Sequence, residues 1–570
     1  MLKPTDSLES VTAMRLSVTR RKLLRLLAGT GLAPGTALAQ VTDPDLTDIA
    51  RPETGPMVAE DGTLLVRRAA LSPNGPGGRP LARVQIPETD APVLNTEASG
   101  TAARRLRRLV HDGRAAGNHG DLYENRDRGH SRLPAGAHPQ LTHVAYDAGM
   151  RKARLDYGLA GPVIFDAPLI GNSSTALKHG PFWRSLPRMA LTRGDGPGRL
   201  YQNYLTGQIH VYPEHRDHDP EHGDLIPAST PFFLVSQGSS YSDRPHLQAL
   251  AMILAAFTPE TKASLHKAQL LAPTVQMVFR RSLDPVRGRE GYRSGVAHPS
   301  AIPAGQINLV RMVGLANVFT PDTVPPMVRL AVLSETRSVE GIDYFGAGLD
   351  ERLFDTPAAI ARIWRSHAAR RSMVVSVEGT RDLQGRSPDF AWRLLRGDPA
   401  RTRIEPLDRR GLRARITLDW QDPRPVPGRP DISSDRVDIG VFARTGDHDS
   451  MLGLISILLP QHETRRYGKG AYPGSGPEGD LRIESRDFRL PAGGYADPVL
   501  FPRANWRDVY RYDPEGRLTG WDREAADGPL RFDVAGRLIT ELGPVPVRHV
   551  LERPDGAVPR LRLRTGATTD

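Results

Sequence analysis

The chain contains no cysteine in 570 residues. This absence excludes disulfide bonds, thiolate metal sites, iron–sulfur clusters and a cysteine nucleophile, so a bound metal would need oxygen or imidazole ligands. Lysine is also scarce: seven of the 76 basic residues are lysine, and the formal net charge is +11. Because no long basic stripe interleaved with aromatic residues accompanies this charge, we expect no nucleic-acid partner.

Nucleotide-binding motifs and long apolar runs are also missing. The sequence has no Walker loop, and no glycine-rich dinucleotide fingerprint follows a strand pattern. The longest membrane-like apolar run, Leu26 to Leu38, lies within the first forty residues. We therefore expect no stable membrane insertion of the chain beyond this run.

The first forty residues have the features of an export signal. Thr19-Arg20-Arg21-Lys22-Leu23 contains an arginine pair, the apolar run follows, and Ala37-Leu38-Ala39 is a small-x-small cleavage site before Gln40. This segment resembles a bacterial twin-arginine (Tat) signal peptide. The resemblance implies export of the folded protein through the Tat translocon, and hence a periplasmic or secreted protein. The chain as a whole resembles uncharacterised Tat-exported bacterial proteins, a resemblance that implies no activity.

Composition and periodicity divide the chain into five predicted segments. We expect a signal peptide over 1–39, a Pro/Gly-rich extended arm over 40–104, a mixed α/β main domain over 105–370, a β-sandwich over 371–460, and a β-rich C-terminal segment over 461–570. The predicted fold class is thus a multidomain protein. Its α/β (or α+β) main domain is followed by an all-β immunoglobulin-like sandwich and a small β appendage.

Within the main domain, local signals predict individual elements. Pro162 to Ile170 and Phe232 to Ser236 are strand candidates. Three threonine–proline pairs have the pattern of a helix start, with a capping threonine and proline in the first turn; they begin at Thr258, Thr320 and Thr356. Apolar residues at helical spacing predict a helix buried on one face; they are Ile307, Val310, Met312, Val313 and Leu315.

The segment 371–460 has strand-like runs separated by turn residues at the intervals of a sandwich. An Asp-x-x-Gly turn, Asp382-Leu383-Gln384-Gly385, precedes a strand that contains Trp392. These features resemble a PKD-type or related immunoglobulin-like module, although Gly397-Asp398-Pro399 replaces the usual Gly-Asp-Gly. The resemblance implies that Trp392 is buried and that the module is a spacer or a binding surface.

The C-terminal segment contains an internal repeat. Tyr512 to Leu518 recurs as Phe532 to Leu538, each with an aromatic residue, aspartate, a glycine turn and then Arg-Leu. This pattern predicts a β-hairpin and resembles YD-type hairpin repeats. Because two copies are too few for a solenoid or a shell, we expect a small β appendage.

Histidine is concentrated in one part of the main domain. Thirteen of the seventeen histidines lie between residues 111 and 298, most densely between residues 209 and 224. Imidazole and carboxylate side chains suit Zn, Mn or Fe, and carboxylates suit Ca. The candidate ligands of a divalent metal are His210, His215, Asp217 and His218. An EF-hand is excluded because its sixth position, which needs glycine, is His222. Two alternatives stay open, a solvated loop whose histidines bond to the backbone and acid–base chemistry without a metal.

Two further stretches contain candidate catalytic residues. Tyr123 to Ser131 combines carboxylates, guanidiniums and an imidazole, with Asp127 and His130 as candidates; such pairs serve structure or substrate binding. Ser239 and Ser240 follow a predicted strand and precede a predicted helix, where a hydrolase nucleophile lies, although the motif lacks its second glycine. These serines are otherwise helix caps, or part of a turn that holds an anion or a sugar hydroxyl.

Two functions fit these observations. The first is an exported hydrolase-like enzyme that acts on a polymer or its fragments, such as a glycan, and that depends on a metal in one version. The second is a non-catalytic envelope or glycan-binding protein that uses the immunoglobulin-like module. A convergence of His210, His215, His218, Asp127 and His130 on one pocket would favour the enzyme.

Overall fold

The structure is a computed structural model. It describes residues 57–59, 61–158, 163–174, 195–214, 230–238, 241–346, 348–426, 429–434, 436–460, 463–468, 481–485, 506–513, 517–525, 527–552 and 560–565.

A largely parallel sheet dominates the first part of the chain. Its region contains the strands β1 Met57–Val58, β2 Leu64–Val66, β3 Leu81–Ala82, β4 Leu122–Arg126, β5 Thr142–Tyr146, β6 Ile164–Phe165, β7 Leu169–Ser173, β8 Gln208–Pro213 and β9 Leu234–Ser236. The sheet order is β1-β2-β5-β4-β7-β8-β9, and every neighbouring pair is parallel except β1 with β2. β3 and β6 form a separate parallel pair. The carboxyl ends of the six parallel strands therefore meet at one edge of the sheet.

Helices cover this sheet and bury its apolar residues. They are α1 Thr101–His111, α2 Ala148–Lys152, α3 Gly196–Leu205, α4 Arg244–Ala256, α5 Pro259–Lys267, α6 Leu271–Arg281, α7 Gly288–Tyr292 and α8 Leu309–Val318. Ile170 and Val211 on one face share a core with α4 and α6. Leu122 and Leu169 on the other face share a second core with Met150 of α2. The predicted α/β main region is therefore present.

The helix-start prediction is right at one site and wrong at two. Thr258 precedes α5, and its hydroxyl accepts a hydrogen bond from the backbone N–H of Thr261. At Thr320 the chain forms a turn, and Thr356 lies between two strands, where its hydroxyl accepts from the N–H of Ala359. The same local cap thus closes a turn where the following residues join a strand. Val310, expected in a buried helix face, is 41% exposed.

Two sheets form a sandwich after residue 330. One has the order β10-β13-β16-β15 and the other β11-β12-β20-β19-β14, with bounds β10 Ala331–Glu335, β11 Arg352–Asp355, β12 Ala359–Ile363, β13 Arg370–Ser376, β14 Asp389–Arg396, β15 Thr402–Pro406, β16 Arg413–Asp419, β19 Arg436–Arg444 and β20 Gly453–Leu458. β17 Arg424–Val426 and β18 Arg429–Ser434 form a separate antiparallel pair. Neighbouring strands are antiparallel except β12 with β20. Trp392 is buried as predicted, and its indole N–H donates to the carbonyl of Gly411 at 2.9 Å. Assignment to the immunoglobulin-like class stays a prediction.

The C-terminal segment is a meander of seven antiparallel strands in chain order. They are β21 Glu463–Tyr467, β22 Leu481–Ser485, β23 Trp506–Tyr512, β24 Leu518–Ala525, β25 Gly528–Asp533, β26 Leu538–Thr540 and β27 Gly543–Val545, followed by the pair β28 Val547–Glu552 and β29 Arg560–Thr565. The aspartate and the arginine of each repeat make the same contact. Arg517 donates from its backbone N–H to Asp513 and Arg537 to Asp533, at 2.8 and 2.9 Å. The predicted hairpin geometry is confirmed in both copies.

Residues 40–567 form one compact unit by their contacts. Within the described residues, no helix is both long and apolar enough to cross a bilayer.

Candidate active site

The carboxyl edge of the parallel sheet gathers buried polar side chains from several strands. β4 ends at Arg126, β7 at Ser173 and β9 at Ser236, and all three residues are buried. In open parallel sheets, ligands bind outside the carboxyl ends of the strands. We therefore place the candidate site at this edge.

Glu124 and His210 form a buried pair across β7. The strand register places Glu124, Gly171 and His210 side by side on three neighbouring strands. His210 Nε2 lies 2.6 Å from Glu124 Oε1. A Cβ at position 171 would lie 2.8 Å from Cγ of Glu124 and 3.2 Å from Cδ2 of His210. The absence of a side chain at Gly171 therefore allows the two residues to meet.

Arg126 and Tyr146 complete this group, and we refer to Glu124, Arg126, Tyr146 and His210 as the Glu124 cluster. The Tyr146 hydroxyl donates to Glu124 Oε2, and Arg126 Nη1 lies 3.8 Å from the same oxygen. Burial disfavours the charged carboxylate, but the Arg126 charge and the hydrogen bonds from His210 and Tyr146 outweigh it. They lower the pKa of Glu124 to about 2. Glu124 is therefore ionised at neutral pH and orients His210 rather than supplying a proton.

The loop after β4 is held in an unusual backbone conformation. Arg128 and Ser131 have φ angles of 49° and 52°, in the left-handed region that residues with side chains seldom adopt. Asn125 and Asn172 donate from their side-chain amides to the carbonyl of His130, at 2.8 and 2.9 Å. These bonds fix the loop on the sheet face opposite to Glu124, because Asn125 and Asn172 point away from it.

Asp243, between β9 and α4, is a fully buried acid. Its Oδ1 accepts a hydrogen bond from the Ser236 hydroxyl, and Ser236 Oγ lies 2.7 Å from Ser242 Oγ. Its Oδ2 is buried and has no hydrogen-bond partner among the described residues. Burial raises the pKa of Asp243 to about 7; the hydrogen bond from Ser236 opposes this rise, and the charge of Asp127 adds to it. Asp243 therefore exchanges its proton near neutral pH.

Asp127, whose charge acts on this buried acid, lies with His130 in the loop after β4. His130 Nδ1 lies 3.7 Å from Asp127 Oδ1, and half of the His130 side chain is exposed. The ring of His130 meets the ring of Tyr241 edge-on, with 5.9 Å between centroids. We refer to Asp127, His130, Ser236, Ser242 and Asp243 as the Asp243 cluster.

Backbone strain is concentrated around the Asp243 cluster. Five non-glycine residues among those the structure describes have a positive φ, and Arg128, Ser131 and Tyr241 are three of them. Such conformations cost roughly 1–3 kcal/mol each and gather at functional sites. Tyr241 is also 60% exposed, so core packing does not account for its conformation. The strain therefore supports a functional role for these two loops.

The structure brings only some of the predicted site residues together. Asp127 and His130 belong to one cluster, whereas His210 lies at the same edge but bonds to Glu124 on the other sheet face. The convergence on one pocket that would favour the enzyme is therefore not seen for His210. Five predicted residues lie outside the described part of the chain, and their roles stay predictions: His215, Asp217, His218, Ser239 and Ser240.

The metal prediction gains no support from the described residues. These contain no group of three or more histidine, aspartate or glutamate side chains arranged to hold a metal ion. His210, a predicted ligand, already has its Nε2 bonded to Glu124. A divalent metal therefore stays a prediction that rests on the sequence.

Sequence reasoning missed Asp243, Ser236 and Gly171 as site residues. The available signal was a strand that ends in Ser236 and is followed seven residues later by an acid at a helix start. Gly171 carried no local signal, because its role depends on side chains of two other strands.

Comparisons with known proteins add little to this geometry. No protein-family model matches the chain, and no curated protein matches it. One similar solved structure is a nucleoside hydrolase-related hypothetical protein from Saccharophagus degradans that is associated with carbohydrate metabolism. It is 9% identical with a TM-score of 0.17, over 51% of this chain and 71% of that one.

Two other solved structures are similar at the same low level. The tandem Ig repeats of Dlar are 12% identical with a TM-score of 0.11, over 30% of this chain and 84% of that one. The endo-fucoidan hydrolase MfFcnA9 from glycoside hydrolase family 107 is 8% identical with a TM-score of 0.15, over 67% and 81%. Similarities this weak carry no argument about function, which must be argued from the site itself.

Proposed function

We propose that this chain is a hydrolase-like enzyme that acts on a polymer or its fragments, with the Asp243 cluster as its acid–base centre. One observation carries the proposal: two carboxyl groups, Asp243 and Asp127, lie close enough to interact within strained loops at the carboxyl edge of a parallel sheet. Enzymes that use two carboxyl groups place them in environments that separate their proton affinities.

A chain of hydroxyl groups provides a proton path to Asp243. Ser236 donates its hydrogen to Asp243, so the oxygen of Ser236 accepts from the neighbouring Ser242 hydroxyl. Ionised Asp243 would draw a proton through Ser236 from a nucleophile at Ser242, either that hydroxyl or a water bound to it. Because the pKa of Asp243 is about 7, the acid can both take up and return this proton near neutral pH.

His130 and Asp127 form the exposed side of the same centre. Since half of the His130 side chain is exposed, its ring is available to contact a substrate. Asp127 Oδ1 lies 3.7 Å from Nδ1 of this ring, and we assign the ring the transfer of a proton to the leaving group. In this proposal His130 in the loop after β4 is the acid, and Asp243, reached through Ser236, is the base.

Further parts of the proposal rest on the sequence. The Tat-type leader supports export to the periplasm or beyond, where glycans are an abundant class of polymer, and we take a glycan as the substrate class. The sandwich and the meander contain no residue of the Asp243 cluster, so we assign them accessory roles, with the sandwich as an immunoglobulin-like module. A metal bound by residues 215–218 would belong to the metal-dependent version of the proposed enzyme.

The test is hydrolysis by the purified chain of a panel of polysaccharides and aryl glycosides, measured by released reducing ends or chromophore. We expect Asp243→Asn and Asp127→Asn each to lower kcat by roughly 10²–10⁴-fold. Asp121→Asn is the matched control, because Asp121 is another buried acid but lies before β4 and pairs with Lys262 at 2.8 Å.

Two results would contradict the proposal. Equal loss of activity in folded Asp121→Asn would show that the effect is not specific to the Asp243 cluster. Glycan binding by the whole chain without turnover of any substrate would favour the non-catalytic envelope or glycan-binding protein instead.

A further inference from the structure

Helix α8 buries Met312, Val313 and Ala316 in the core and leaves two apolar side chains exposed on its outer side. Arg311 donates to three backbone carbonyls at and beyond the end of α6. Asn317 donates to the carbonyls of Arg114 and Ala256. On the outer side, Val310 is 41% and Val318 is 57% exposed. A helix that is apolar on nearly all sides is normally enclosed on all sides, so the exposed face calls for a partner.

Helix α1 packs against α8 and places unpaired positive charge beside this face. It bears four guanidinium groups within five residues, on Arg104, Arg105, Arg107 and Arg108. Within the described ranges, none of these four pairs with a carboxylate; Arg104 and Arg107 reach backbone carbonyls instead. Other exposed arginines do pair with a carboxylate, as Arg370 does with Asp419 at 2.6 Å.

Arg105 joins the charged and apolar parts into one surface. Its Nη1 lies 3.0 Å from the position that a Cβ on Gly314 would occupy. Gly314 is one helical turn from both Val310 and Val318, so the guanidinium lies across α8 between the two exposed valines. We define Arg104, Arg105, Arg108, Val310, Gly314 and Val318 as the α1–α8 surface.

We propose that the α1–α8 surface docks the protein peripherally on an anionic lipid bilayer. Guanidinium groups are attracted to the phosphates of anionic lipids, while neighbouring apolar side chains enter the boundary between headgroups and acyl chains. A soluble polyanion would engage the arginines but would gain little from the exposed valines. The combination of both groups on one surface therefore favours lipid. This inference is independent of the proposed hydrolase activity.

The experiment is cosedimentation of the full chain with vesicles of phosphatidylcholine alone and of phosphatidylcholine with roughly one third phosphatidylglycerol. We expect binding to the anionic vesicles only, and weaker binding as salt is raised, because salt screens exposed charges. The variant Arg104→Gln/Arg105→Gln/Arg108→Gln should bind about a hundredfold more weakly, near fivefold per arginine. The variant Val310→Ser/Val318→Ser should lose roughly five- to tenfold with an unchanged salt dependence.

The control removes the same charge elsewhere. Arg403→Gln/Arg531→Gln/Arg562→Gln replaces exposed arginines that pair with carboxylates, and it should retain wild-type binding; thermal melting confirms that each variant folds. Equal loss in this control, or equal binding to both vesicles, would overturn the proposal. Dextran sulfate tests for a soluble polyanion as the partner. The proposal would also be overturned if the chain bound dextran sulfate as tightly as vesicles and the valine variant bound it equally well. A concentration-dependent dimer abolished by the valine variant would show instead that a second copy covers the surface.

Discussion

At the scale of single residues, Gly171 and Asp243 show two ways in which the sheet edge is specialised. Gly171 leaves space in which Glu124 and His210 bond across a third strand. Asp243 is the opposite case, since it is a carboxyl group placed where burial disfavours its charge. Gly171 thus allows the contacts that stabilise ionised Glu124, whereas burial raises the pKa of Asp243 to near neutral pH.

Replacing Gly171 by alanine should disrupt the Glu124 cluster. The added Cβ would lie 2.8 Å from both Cγ and the backbone oxygen of Glu124, so the strands or the side chain must shift. Overpacking of this kind costs about 1–3 kcal/mol of the free energy of unfolding, which urea titration would measure. Gly198→Ala in α3 is the control, because nothing lies within 4 Å of its added Cβ. Equal free energies of unfolding for the two variants would contradict the close approach of Glu124 to the backbone at Gly171.

At the scale of elements, the same threonine–proline pair has different effects in different contexts. Thr258 caps α5 with its hydroxyl, whereas Thr320 precedes a turn within the described residues. The Thr258 hydroxyl accepts one backbone N–H, whereas the backbone N–H of Thr320 donates to the hydroxyl of Thr323. The residues after the cap decide whether a helix forms, because α5 also buries Leu265 in the core.

Removing the cap of α5 should therefore cost more than removing the same side chain at Thr320. We expect Thr258→Ala to lower the free energy of unfolding by about 1 kcal/mol. Thr320 is exposed and caps no helix, so Thr320→Ala should change the free energy of unfolding by no more than roughly 0.5 kcal/mol. Urea titration of both variants checks this difference, and a Thr320→Ala effect as large as that of Thr258→Ala would contradict the assigned cap.

At the scale of the whole molecule, buried histidines make stability depend on pH. Burial disfavours the charged imidazole and lowers the pKa of His138 and of His246 to about 4, and that of His298 to about 3. In the unfolded chain these groups titrate near the ordinary histidine pKa of 6.5. Their contribution to stability is therefore complete above pH 6.5 and is lost as the pH falls through the lowered values.

We expect the free energy of unfolding to decrease between about pH 6.5 and pH 4, on the order of 1–3 kcal/mol for each of the three histidines. Asp121, Asp243 and Asp508 act in the opposite direction, because a raised pKa removes an unfavourable charge on acidification. They are three groups against seven described histidines with a lowered pKa. Glu124 keeps its contribution in this range, because that contribution is lost only as the pH falls from about 4.5 toward 2. Urea titrations at several pH values test this, and a constant or rising stability on acidification would contradict it.

The sequence by itself determined the features that local patterns encode. The change from an α/β region to antiparallel sheets and the two matching hairpins follow from residue spacing and turn chemistry, which act over a few neighbouring residues. The burial of Trp392 was implied by the resemblance to an immunoglobulin-like module. Asp127 and His130 were found together for the same reason, since three residues separate them along one loop.

Only the tertiary structure decided which distant groups meet and which faces are covered. Glu124 bonds to His210 across 86 positions, and Asp127 influences Asp243, because parallel strands far apart in the chain end at one edge. Periodicity likewise predicted an apolar face that included Val310, but it could not show which side of α8 would meet the core. In the structure Met312, Val313 and Ala316 meet the core, backbone carbonyls accept hydrogen bonds from Arg311 and Asn317, and Val310 and Val318 are left exposed.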